Sequence, residues 1–152
     1  MCRIRDYRPG DEETVFRIVE QVLAEYGLST NPAETDADLD DIHDSYIADG
    51  GTFKVLEKDG RIIGSYGLYP TTARSCELRK MYLLPEFRGQ GLGRRMLEDA
   101  LREAGSLGFE QMTLETNSRL EEALGLYRSY GFREYRPEHM SDRCDMCMKR
   151  RL

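Results

Sequence analysis

The 152-residue chain has no tryptophan, two histidines, four cysteines and five prolines. Four cysteines (Cys2, Cys76, Cys144 and Cys147) are too few for the disulfide framework of a small secreted domain, so free thiols are expected. With only His43 and His139 available, no Ser-His-Asp or Cys-His arrangement is evident, and both read as surface or packing residues. Basic residues are in the minority: 22 Lys and Arg against 28 Asp and Glu leave a net charge of −6. That is the opposite of the basic footprint a nucleic-acid binder needs, so no nucleic-acid partner is expected. Long apolar runs are missing too. The longest stretch without a charge, Ile62 to Ala73, is 12 residues and is interrupted by Pro70. A membrane-spanning helix needs about 20, so no membrane partner is expected. Arg3, Arg5 and Asp6 stand where a secretory signal would carry its apolar core, and the expected location is cytoplasmic.

What remains is the composition of a globular protein, 39% hydrophobic and 33% charged. No linker, repeat or low-complexity tract divides it, so residues 1–152 read as one domain. Cys2 to Asp6 is a short strand. Val15, Ile18, Val19, Val22, Leu23 and Tyr26 then trace one helical face that Gly27 stops. A second helix is expected over Asp36 to Ala48, with Leu39, Ile42 and Tyr46 inward. Phe53 to Lys58 and Arg61 to Tyr69 flank Asp59-Gly60, a strong hairpin signal. Glu77 to Leu84 is a further strand, and a helix from about Gly91 carries Met96, Leu97, Ala100, Leu101 and Ala104 on one stripe. Phe109 to Thr116 is a strand, Leu120, Ala123, Leu124 and Tyr127 stripe the next helix, and Phe132 to Tyr135 and Arg143 to Lys149 complete the strands. The order β-α-α-β-β-β-α-β-α-β-β implies an α/β (α+β) fold in three layers, a mixed sheet of about seven strands flanked by about four helices.

The most informative segment is Arg88-Gly89-Gln90-Gly91-Leu92-Gly93-Arg94-Arg95, between a strand and an amphipathic helix. Its glycines let the backbone turn sharply and approach a ligand, and the helix N-terminus behind it offers free N–H groups and a positive dipole end. Arg88, Arg94 and Arg95 add cationic donors. These are the properties of a phosphate-binding loop, against the plainer reading of a glycine turn that merely starts a helix. A G-x-G-x-x-G fingerprint fails here, because its last position falls on Arg94 or on Met96, and no G-x-x-x-x-G-K run exists.

Glu77-Leu78-Arg79-Lys80-Met81-Tyr82-Leu83-Leu84-Pro85-Glu86-Phe87-Arg88-Gly89-Gln90-Gly91-Leu92-Gly93 resembles the acetyl-CoA motif of the GNAT N-acetyltransferase superfamily, with Arg88, Gly91 and Gly93 filling its pattern. Leu126-Tyr127-Arg128-Ser129-Tyr130-Gly131-Phe132 is similar to a second motif of that family, a helix ending in L-Y and, after three residues, G-F. The two lie a helix, a strand and a helix apart, as in the family. The resemblance implies acetyl-CoA as co-substrate, its pyrophosphate held by backbone N–H groups of Gly89, Gln90, Gly91, Leu92, Gly93 and Arg94. It implies further that Met81, Tyr82 and Leu83 splay from the neighbouring strand and pair with the pantetheine arm. An unpaired strand edge is a row of amide partners, which suits the arm's two amides.

Under the same resemblance the reaction is direct attack of a primary amine, of a small molecule or a peptide, in a ternary complex. Tyr127 occupies the position of the family's general acid, but it also lies on the apolar stripe with Leu120, Ala123 and Leu124 and could simply be core. Glu77 matches the position of a general base, and strand alternation places it on the face of Met81 and Leu83. It could equally be a polar strand residue paired with Arg79 or Lys80. The oxyanion role falls to the backbone N–H of Leu83 or nearby, and Asn117 resembles a coenzyme-contacting asparagine. Two rival functions stand beside this one: a sensor that binds acyl-CoA without catalysis, and an acyltransferase that uses another acyl-CoA. Edge strands near the C-terminus could pair in a homodimer.

Two other features invite a functional reading. Cys144-Asp145-Met146-Cys147 has the spacing of a zinc or redox pair, but residues three apart on a strand face opposite sides and no second pair lies nearby, so no metal is expected. Glu34, Asp36, Asp38, Asp40, Asp41, Asp44 and Asp49 form an acidic run without a Lys or Arg. It reads either as a solvated face or as a field that draws a cationic acceptor.

Overall fold

The computed structural model describes all residues from Met1 to Leu152. Seven strands form one sheet: β1 (Cys2–Asp6), β2 (Thr52–Lys58), β3 (Arg61–Pro70), β4 (Ser75–Leu83), β5 (Gln111–Thr116), β6 (Arg133–Tyr135) and β7 (Met146–Arg151). Their spatial order is β1-β2-β3-β4-β5-β7-β6, antiparallel throughout except for the parallel pair β4–β5. Asp59 and Gly60 both take positive φ (50° and 81°), the geometry of the tight turn expected between β2 and β3.

Three α-helices cover the sheet: α1 (Glu12–Glu25), α2 (Leu92–Ser106) and α3 (Glu121–Ser129). On one face, Val15, Val19 and Leu23 of α1 pack with Leu39, Ile42 and Tyr46 over Phe53 and Val55 of β2. On the other, Met96, Leu97, Ala100 and Ala104 of α2 and Leu124 and Tyr127 of α3 pack over Tyr66, Leu68, Leu78, Met112, Leu114 and Met148. Each helix ends in the same way, on a glycine with positive φ (Gly27, Gly108 and Gly131). Beyond each, an amide reaches back five residues: Leu28 to Leu23, Phe109 to Ala104 and Phe132 to Tyr127.

Two elements differ from the sequence expectation. The helix expected over Asp36 to Ala48 is broken into a 3-10 turn, Ala37–Asp40, and a π-helical turn, His43–Ile47, with Asp41 between them outside the helical region (φ −144°, ψ 77°). Leu39, Ile42 and Tyr46 are buried as expected, but Asp36 and Asp38 turn inward to Lys80, which a continuous helix on this apolar face would not allow. The strand expected over Arg143 to Lys149 starts later, at Met146. Arg143 is drawn away by Asp36, its carbonyl is taken by the Asn117 amide, and Asp145 binds Ser118, so these residues form a turn.

Tyr46 crosses the sheet at Gly67, where a Cβ would lie 2.7 Å from the Tyr46 ring and 2.8 Å from that of Phe53. Both rings are fully buried in edge-to-face contact with each other (centroids 5.1 Å apart) and have no room to move. Gly67→Ala is therefore expected to cost about 1–3 kcal/mol of stability by overpacking. Urea denaturation checks this, with Gly60→Ala, where the Cβ meets nothing within 4 Å, as the variant that reports backbone strain alone.

Candidate active site

Strands β4 and β5 pair only from Ser75–Gln111 to Leu78–Leu114, although β4 runs on to Leu83 and β5 to Thr116. The splay begins at a bulge. Lys80 has φ 54°, and between the β3–β4 pairs Gly67–Arg79 and Ser65–Tyr82 two residues of β4 oppose one of β3. The buried Ser65 hydroxyl donates to the Lys80 carbonyl (2.8 Å) and fixes the bulge. The extra residue reverses the alternation. Glu77 consequently shares its face with Arg79 and Tyr82, through their partners Tyr69, Gly67 and Ser65, and not with Met81 and Leu83 as simple alternation predicted.

Two clefts open on either side of the splay and meet at Met81, Tyr82, Leu120 and Tyr127. The first, about 230 Å³, runs past Leu83, Arg88, Gly89, Gly91, Leu92, Gly93 and Arg94. None of the amides from Gly89 to Arg94 donates to an acceptor within the chain. Gly91 caps α2 in the left-handed region (φ 78°), and a Cβ at Gly89 or Gly91 would meet nothing within 4 Å. A row of free amides at a helix N-terminus is an anion site. Gln90 is exposed at the tip and does not line the cleft.

The three arginines divide differently from the expectation that all serve as donors to a ligand. Arg88 donates to the Leu83 carbonyl (3.1 and 2.9 Å) and to Glu25 (3.2 and 2.8 Å), so it staples the loop to β4 and α1. Arg95 donates to the Cys2 carbonyl (3.1 Å). Only the Arg94 guanidinium has no hydrogen bond or ion pair in the chain. Because the Leu84 N–H donates to Ile63 across β3 (2.9 Å), strand alternation turns the N–H and carbonyl of Leu83 toward the open side.

The second cleft, about 290 Å³, lies between Leu23 and Leu28, the acidic segment at Glu34 and Thr35, strand β4 from Glu77 to Tyr82, strand β5 from Leu114 to Thr116, and the loop at Ser141 to Cys144. Glu77 sits here in an ion pair with Arg79, whose guanidinium lies 3.8 Å from the Tyr69 ring centroid. Asn117 lines this cleft and not the other, and its amide is committed: it donates to the Arg143 carbonyl (2.7 Å) and accepts from the Arg119 N–H (3.0 Å). Tyr127 is buried with its ring edge-on to Phe132, and its hydroxyl has no hydrogen-bond partner in the chain. Burial, with nearby Tyr82, raises its phenol pKa above the ordinary value.

Sequence reasoning missed the ion cluster that walls this cleft. The buried Lys80 ammonium lies 3.1 Å from Asp36 and 3.3 Å from Asp38, and donates to the Thr35 carbonyl (3.2 Å). Arg143 grips Asp36 with two bonds of 2.7 and 3.0 Å, and the Asn31 N–H adds a third (2.7 Å). The acidic run is thus divided: Asp36 and Asp38 are structural, while Glu34, Asp40, Asp41, Asp44 and Asp49 are exposed. The only hint in the sequence was a lysine in the middle of a strand that the buried face requires.

The profile of the acetyltransferase (GNAT) family matches residues 19–132. The chain is 39% identical over 127 residues to the uncharacterized N-acetyltransferase YjgM of Escherichia coli, a match that covers 80% of this chain and 76% of that protein. Its fold is similar to that of a GNAT-family acetyltransferase from Staphylococcus aureus, with a TM-score of 0.93 at 21% identity over 100% and 99% of the two chains. It also resembles a GNAT superfamily phosphinothricin acetyltransferase from Sinorhizobium meliloti solved in complex with AcCoA (TM-score 0.76, 21% identity, 99% and 88% covered).

The ion cluster carries a pH dependence of stability. Burial alone would raise the Asp36 carboxyl, but the Arg143 and Asn31 bonds and the charge of Lys80 outweigh it and hold it at about 2. An unfolded aspartate titrates near 4, so this stabilisation, on the order of 2 kcal/mol, is present above about pH 4 and is lost as the pH falls toward 2. Asp36→Asn strands the facing cations and is expected to cost about 3–5 kcal/mol at pH 7, while flattening the acid limb. Urea titrations of both proteins from pH 7 to pH 2 measure the two effects.

Proposed function

The chain belongs to the acetyltransferase (GNAT) family, and from that premise we propose that it transfers an acetyl group from acetyl-CoA to a primary amine by direct attack in a ternary complex. The observation that carries this reading is the meeting of two clefts at the β4–β5 splay, one lined by free amides and the other by charged side chains. Acetyl-CoA supplies a thioester carbonyl and a thiolate leaving group. The amides from Gly89 to Arg94, with the unpaired Arg94 guanidinium, bind its pyrophosphate. The open edge of β4 at Met81, Tyr82 and Leu83 pairs with the pantetheine amides as an added strand would. The Leu83 N–H, turned to the open side, stabilises the oxyanion. Tyr127 lines both clefts and stays protonated at neutral pH, so it can give its proton to the departing sulfur. The acceptor, a small molecule or a peptide, enters from the charged cleft.

Gly91→Asp is expected to abolish acetyl-CoA binding in calorimetry, because a carboxylate would stand at the anion site. The new side chain meets nothing in the protein, so the fold should lose only the roughly 1 kcal/mol that a left-handed residue costs. Undiminished binding would remove the basis for the coenzyme assignment.

Tyr127→Phe keeps the ring packed on Phe132 and removes only the hydroxyl. Coenzyme affinity should hold within a few-fold, and turnover should fall about 10²–10⁴-fold. The loss should shrink as the pH rises and the thiolate departs unaided. An unchanged rate in the folded, coenzyme-bound variant would return Tyr127 to a packing role.

A further inference from the structure

The side of the sheet that carries α1 is covered only in part. The core on that side is built from α1, the acidic segment and β2, and contains no residue of β5, β6 or β7. One row of cross-strand partners crosses this face, from Tyr69 through Glu77, Thr113 and Lys149 to Arg133. Tyr69 lies under the acidic segment, edge-on to Tyr46 with ring centroids 5.8 Å apart. Arg133, at the other end of the row, is exposed, as are Lys149 and Arg151. The surface is therefore stepped. It is high over β2 and β3, where α1 and the acidic segment stand on the sheet, and low over β5, β7 and β6.

Charge follows the step. Lys149 and Arg133 are direct partners across β7 and β6, and Arg151 follows two residues on, on the same face. None of the three makes an ion pair, and Lys149 has only the Tyr135 ring, 4.9 Å from its centroid. The one carboxylate in the row, Glu77, is held by Arg79. Like charges directly opposite on a sheet repel, so this low face lacks an anion that the chain itself does not supply. The high side is the reverse. Residues 18–53 contain no Lys or Arg, and Asp40, Asp41, Asp44 and Asp49 are exposed there. The Asp40 and Asp49 carboxylates make no hydrogen bond or ion pair within the chain. The cations stand opposite Thr113 and Gln111, at the paired end of β4 and β5, so a contact there leaves the splay and its clefts open.

We propose that a second copy of this chain covers the low face. The two copies meet face to face about a two-fold axis parallel to the strands, and the acidic segment of each seats on Arg133, Lys149 and Arg151 of the other. Such an interface is self-complementary, with acid on base twice over and the high part of one copy filling the low part of its partner. A foreign acidic protein would satisfy the cations alone, whereas a second copy also matches the acidic segment. Pairing through the sheet edge has less to offer, because β6 is only three residues long and Pro137 follows it closely.

Sedimentation equilibrium of the full chain tests this. Wild-type protein should be dimeric at about 50 mM salt, and its dissociation constant should rise at least about tenfold at about 500 mM, where exposed charges are screened. Arg133→Glu with Lys149→Glu should be monomeric, because acid then faces acid. Asp40→Lys with Asp49→Lys should be monomeric as well, because base then faces base. Mixed in equal amounts, the two double variants should form a heterodimer, since each reversed patch meets the other. Restoration on mixing is a result that a merely misfolded variant cannot give, and circular dichroism confirms that each is folded beforehand. Wild-type protein that is monomeric at low salt, a dimer that either reversal leaves intact, as an edge-paired one would be, or folded variants that stay monomeric when mixed overturns the proposal. None of these outcomes bears on acetyl transfer.

Discussion

A side chain other than glycine in the left-handed region costs free energy, and Lys80 holds such a conformation in the middle of the central strand because buried partners fasten it on both sides. Ser65 bonds its carbonyl, and Asp36, Asp38 and the Thr35 carbonyl take its ammonium. Both clefts depend on that one residue. The bulge ends the pairing of β4 with β5, leaves the edge of Met81 to Leu83 without a partner strand, and reverses which side chains face each cleft. The same ammonium pins the acidic segment over the sheet, and through Asp36 and Arg143 it brings the Ser141 to Cys144 loop to the opposite wall.

The two sequence motifs that carried the family resemblance have plain physical content. In the glycine loop, positive φ at Gly89 and Gly91 leaves a run of amides without acceptors at the start of α2, which is a place for an anion. In the other, the L-Y and G-F residues form a helix C-cap: Gly131 turns left-handed, the Phe132 N–H returns to the Tyr127 carbonyl, and the two rings pack 5.8 Å apart. The cap explains why spacing and residue type are linked. Tyr127 takes part in both core and cleft: its ring packs on Phe132, and the residue lines both clefts with a hydroxyl that has no partner in the chain.

Inside the second cleft each cation has a carboxylate partner. Arg79 is matched by Glu77, and Arg143 and Lys80 by Asp36 and Asp38, so the interior cations are neutralised and none is free to repel an ammonium. The acidic run therefore acts in two ways that its composition could not separate. Its inner members hold the wall in place, and its outer members leave a negative field at the surface.

Element order, the helix faces, the tight hairpin turn and the glycine loop were legible in the sequence, because each rests on contacts within a few residues or on a period of two or 3.6, whereas periodicity alone made Tyr127 a core residue and only the family resemblance singled it out. The ends of elements were legible only where a local cap set them, as at Gly27, Gly108 and Gly131. Where distant partners compete with local preference, the sequence was silent: Asp36 breaks a helix to reach Lys80, Arg143 delays a strand to reach Asp36, and Arg88, which lines the first cleft, also binds Leu83 and Glu25. Glu77 and Glu115 are the sharpest case. As residues they are alike, two glutamates on neighbouring strands, and only the tertiary structure gives one a guanidinium and the other a backbone amide. A carboxylate's chemistry is set by its partners, and those partners lie 2 and 26 residues away in the chain.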